Sequence, residues 1–116
     1  MADQPTPEVT DADVERIVRR DFPAADVDRI LTLAAEVDVR ERPRVVLACL
    51  KLAAGNVEKL IGHFNEASGY YREILGEAEY PLAIKRWFHI DRLSEEERQQ
   101  IYDADWAQYQ AWFRRV

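Results

Sequence analysis

Between Pro43 and Gly55 the chain reads Pro-Arg-Val-Val-Leu-Ala-Cys-Leu-Lys-Leu-Ala-Ala-Gly, and only Arg44 and Lys51 interrupt its apolar character. A helix turns about 100° per residue, so two residues seven apart share one narrow stripe. A helix over Pro43–Ala54 is therefore apolar on every other side. Such a helix cannot lie on a surface and must be wrapped by others. It is far shorter than the ~20 residues a bilayer demands, so the wrapping has to be protein. The expected architecture is all-α, a compact bundle of five or six helices around residues 43–54.

The rest of the sequence supplies helices to do this. Gly is scarce (4) and the five Pro punctuate rather than interrupt; no stretch alternates cleanly enough for a strand. Residues 1–9, with Pro5 and Pro7 and only Val9 to bury, read as a flexible lead-in, and 10–116 as a single helical domain. Thr10 can cap a helix over 11–20 that ends before Phe22-Pro23. A second helix is expected from there to about 37, followed by a polar connector. Gly55 suits a left-handed residue, and Asn56 can cap a long helix whose apolar positions run from Val57 to Ala78 over about six turns. Pro81 must stop or kink it, and a short apolar piece follows over 81–88. Ser94-Glu95-Glu96-Glu97 is a capping-box pattern for a final helix toward Arg115.

Composition narrows the function classes. The chain has 116 residues, one domain's length, with 47% hydrophobic residues to build a core. A net charge of −6 from 16 basic and 22 acidic residues argues against nucleic-acid binding and an anionic membrane surface. One cysteine, Cys49, rules out an intrachain disulfide framework, and on the most apolar helix it should be buried and inert. The first ten residues lack the build of a signal peptide, so a cytoplasmic protein is expected. Phosphate loops, nucleophile elbows and HExxH patterns do not occur, and no cofactor is implied.

Three stretches carry a resemblance. Arg44–Asn56, then Tyr70-Tyr71-Arg72 with Ala78-Glu79-Tyr80-Pro81, then Asp105-Trp106 with Tyr109 and Trp112, resemble the patterns RVxLAxLKLAxG, DYRxxLxxAEYP and DWxQYxxW. These patterns characterise a small uncharacterised family of short helical bacterial proteins, and the resemblance spans roughly residues 38–113. Tyr70 departs from it, standing where Asp usually precedes Tyr-Arg. The resemblance implies a helical fold and a bacterial origin and carries no activity. Asp21-Phe22-Pro23 and Ala54–Glu58 also resemble pieces of a CUE or UBA module, but a whole extra helix separates them.

Five groups of residues stand out. Trp87, Phe88, Trp106, Tyr109, Trp112 and Phe113 crowd the C-terminal third, more rings than one helix face can bury, which suggests a protein-binding or dimerising patch. His63 and Glu66 on the long helix, with His89 and Asp91 after it, could form a metal site or acid–base pair if folded together. Gly55, Gly62, Gly69 and Gly76, seven apart, drift by only ~20° per step and form a small-residue stripe open to close approach. Arg16, Arg19 and Arg20 read as a solvated charged face. Asp105 falls inside the apolar arc of the last helix, where a carboxylate needs a partner. Arg44 is the expected one, with Arg72 or Arg86 as substitutes. The function expected is non-catalytic, through protein binding or self-association. The alternatives are a small enzyme or metal-binding protein and an immunity or antitoxin-type partner protein.

Overall fold

The computed structural model describes residue 2 and residues 4–116. Among these it contains six α-helices, two short 3₁₀ segments and no strand. The helices are α1 (Asp11–Asp21), α2 (Val27–Ala35), α3 (Arg42–Ala53), α4 (Val57–Glu79), α5 (Pro81–Lys85) and α6 (Glu95–Arg114). The all-α bundle expected from the sequence is the fold. Its centre is α3, where each of the six consecutive residues Val45–Leu50 is at most 1% exposed. This helix packs along α4 and against α1, while α6 packs on α4 and α5. Cys49 is fully buried, and burial pushes its thiol up to about 12, so it holds no thiolate near neutrality.

The helix boundaries follow local chemistry. Thr10 and Ser94 each close a capping box, with Asp13 and Glu97, and Asn56 accepts from the Lys59 amide. Between α3 and α4 the chain turns through two left-handed residues, Ala54 (φ 50°) and Gly55 (φ 84°). A Cβ on Gly55 would sit 3.1 Å from the Asp21 carbonyl oxygen, so glycine serves both the turn and a close approach. The helix expected from Pro23 to about 37 begins instead as a 3₁₀ turn, Ala24–Asp26, and α2 ends at Ala35. The long helix is not continuous either. Tyr70 leaves helical geometry (φ −130°, ψ 29°) directly after Ser68-Gly69, a pairing that commonly kinks helices.

The lead-in expected over residues 1–9 includes positions 1 and 3, which lie outside the described residues; of the rest, Gln4, Thr6 and Glu8 are exposed while two positions pack inward. Pro7 is buried and Val9 packs against the core. The arginines of α1 are not simply a solvated face. Arg16 donates to the Phe113 carbonyl at 2.7 Å, and Arg20 donates to the carbonyls of Trp112 and Arg115, both at 2.7 Å. These carbonyls belong to the last turn of α6, the negative end of its dipole, so α1 caps α6 from the side.

The expected Asp105–Arg44 pair is also corrected. Asp105 is fully buried, as its position on the helical wheel implies. Its oxygens accept instead from two backbone amides at the start of α5, Leu82 at 2.9 Å and Ala83 at 3.1 Å. Helix-start amides lack intrahelical partners, and Tyr80, just before Pro81, is held out of helical geometry (φ −129°, ψ 46°) and provides no side-chain cap. Asp105 does that work from across the bundle. Arg44 is paired with Glu79, which is 2% exposed: Nε to Oε2 at 2.9 Å and Nη2 to Oε1 at 2.7 Å. This two-bond geometry holds the end of α4 against the start of α3 and keeps the Arg44 guanidinium firmly charged. The proposed substitutes are not used, since Arg72 and Arg86 are both exposed.

Candidate functional site

The six candidate aromatics divide sharply. Tyr109 is 2% exposed and forms the hub of α6. Its ring stacks with Trp106 (centroids 6.5 Å apart) and Phe113 (6.3 Å) and meets Trp112 edge-on at 5.8 Å. Arg16 lies 4.7 Å over Phe113 and Arg20 5.2 Å over Trp112, so α1 covers the outer pair through cation–π contacts as well as through the carbonyls. Trp106, Trp112 and Phe113 are partly buried. This cluster belongs to the fold.

Trp87 and Phe88 do not. They follow α5 in a 3₁₀ segment, Trp87–Arg92, and are 67% and 91% exposed. From Pro81 to Arg92 only Ala83 and Ile90 are buried, and these two anchor the segment. Leu82 (41%) and Ile84 (40%) are exposed nearby on α5. Leaving a ring such as Phe88 in water forgoes about 1.5–3 kcal/mol of burial. One exposed apolar side chain is ordinary, whereas several large ones within seven positions are not.

The charges around this ridge are opposite to those of the whole chain. Within residues 81–92, Lys85, Arg86 and Arg92 stand with one acid, Asp91, in a protein of net charge −6, and Glu97 of α6 borders the hollow beside Leu82 and Arg86. The four within 81–92 are exposed. Among the described residues none of these three cations forms an ion pair. The result is an aromatic and cationic face held up by Asp105, whose bonds fix the start of α5.

The remaining candidates are not gathered. Among the described residues no three His, Cys, Asp or Glu side chains form a group that could hold a metal. His63 is partly buried, and Glu66, His89 and Asp91 are exposed. The glycine stripe is not a common approach surface within the chain. A Cβ on Gly62 or Gly69 would meet nothing, whereas one on Gly76 would run into the Ile84 side chain where α5 crosses α4.

Sequence reasoning missed Glu79 and Pro7. Glu79 follows Leu75 by four residues, so the apolar spacing of α4 already places it on the buried face. Pro7 had no such signal, because an extended lead-in has no helical periodicity to read. Among the described residues no helix is long and apolar enough to cross a membrane. No family model, no curated protein and no solved structure matches this chain.

Proposed function

We propose that this is a non-catalytic bacterial protein of the cytoplasm that works by docking the Trp87–Phe88 ridge onto another protein. One observation carries the reading: the two most exposed aromatic rings of the chain share a short segment with three cations that form no ion pair among the described residues. Trp and Arg dominate the energetics of protein interfaces, and cations at the rim set partner choice and association rate. An apolar partner surface with acidic edges complements this face.

The test compares affinity capture from the native host by wild type and by Trp87→Ser/Phe88→Ser, across a salt series. A protein retained by wild type, lost from the double variant and weakened by salt supports the reading. Identical retention by both contradicts it. Sedimentation at high micromolar concentration separates self-association: a dimer that the same double variant abolishes makes a second copy the partner.

A further inference from the structure

Against α6 lies a second feature, one that the Trp87–Phe88 ridge does not use. Pro5 and Pro7 close over Glu79, Tyr80, Tyr102, Trp106 and Tyr109, with only a narrow gap between the two sides. Pro7 is buried there, and the Thr6 side chain interacts with the Tyr80 phenol. On its other flank the same segment borders an open hollow of about 410 Å³, reached by Glu41, Pro43 and Arg44. The segment therefore crosses the surface as a strap, with aromatic rings on one side and open space on the other.

Aromatic-lined grooves hold proline-rich chain because it is already extended and loses little freedom on binding. The fit of the strap is incomplete. The Tyr109 hydroxyl is buried and, among the described residues, has no hydrogen-bond partner. It lies within electrostatic reach of Glu79 and Tyr80, which line the same gap, but it bonds to neither. The space left beneath the strap does not admit a water molecule, so solvent cannot satisfy it. Buried hydroxyls are rarely left so. Proline-rich chain offers carbonyl acceptors without competing amides, which is what an orphan phenol requires.

We infer that the Tyr80–Tyr102–Trp106–Tyr109 cleft is a binding site for a proline-rich peptide segment of a partner protein, and that Pro5-Thr6-Pro7 is a tethered occupant such a segment displaces. The partner's segment gains the Tyr109 hydrogen bond that the strap leaves unmade. The strap competes at the high effective concentration of a short tether.

The experiment uses the full chain and a synthetic Pro-Thr-Pro-Pro-Thr-Pro peptide, with its all-glycine twin as control. Binding is read from the Trp106 indole N–H signal by NMR. The peptide is expected to saturate Pro5→Ser/Pro7→Ser, to need at least about tenfold more for wild type, and to leave both unmoved as the glycine twin. Adding Tyr109→Phe to the strap variant should weaken binding about fivefold to tenfold, the effect of one hydrogen bond, with no loss of thermal stability. A folded strap variant that shows no saturable shift overturns the inference. So does a strap variant that fails to fold, because the segment is then structural. A wild-type dimer that exchanges the segment between copies overturns it too, giving the cleft to a second copy instead.

Discussion

Two groups of aromatic side chains lie within one third of the chain and meet opposite fates. Of the α6 rings, Trp112 and Phe113 lie under Arg16 and Arg20 of α1, which also bond their carbonyls, while Tyr109 and Trp106 face Pro5 and Pro7. Trp87 and Phe88 have no such cover; their segment is held to the body by Ala83, Ile90, the Asp105 bonds and the packing of Ile84 over Gly76. Residue type does not separate the groups. What separates them is whether another part of the chain lies over the rings. An aromatic residue is core only where the fold brings it a cover, and the uncovered pair is available for a partner.

If the covered side is held by buried polar groups, breaking one should be severe. Arg44→Ala strands the Glu79 carboxylate, 2% exposed, and should lower unfolding free energy by about 3–5 kcal/mol in urea titrations. Asp105→Ala is expected to cost somewhat less, about 2–4 kcal/mol, by leaving the Leu82 and Ala83 amides without an acceptor. It should also sharpen the contrast between the regions. Hydrogen exchange should quicken across residues 81–92 while α3 stays protected up to the global unfolding limit.

Acid should act through the covered side as well. The Arg20 hydrogen bond, with Arg20 and Arg115 charge nearby, outweighs burial and holds the Asp21 carboxyl below its ordinary 3.8. A depressed carboxyl contributes stability that is fully present above the unfolded value and is lost as pH falls through the folded one. Unfolding free energy measured downward from pH ~5 should therefore fall less steeply in Asp21→Asn than in wild type. In the opposite direction, Gly62→Ala places a methyl in open space on a helix and should raise stability by about 0.5–1 kcal/mol.

How much of this was legible depends on the range of the interaction. The caps at Thr10, Asn56 and Ser94 are local, each within three residues, and the sequence shows them directly. The enclosure of α3 follows from its composition, and the burial of Asp105 from its place on the helical wheel. Which group meets Asp105 could not be read that way. A wheel gives the face of a helix, not its neighbour, and the acceptor's partners are amides freed only because Pro81 starts a new helix across the bundle. Arg44 and Glu79 lie 35 positions apart, a pairing fixed by how α4 returns along α3. The exposed ridge was half legible: the surplus of rings was evident, but not which of them the arginines of α1 would cover.

The smallest expected effect bears most directly on the division between the two aromatic groups. Equilibrium urea unfolding of Trp87→Ser/Phe88→Ser, followed by far-UV circular dichroism, should give an unfolding free energy within about 0.5 kcal/mol of wild type, as for surface positions remote from packing. A loss of ~2 kcal/mol or more would show that these rings are buried in the fold after all and contradict their assignment to a docking face.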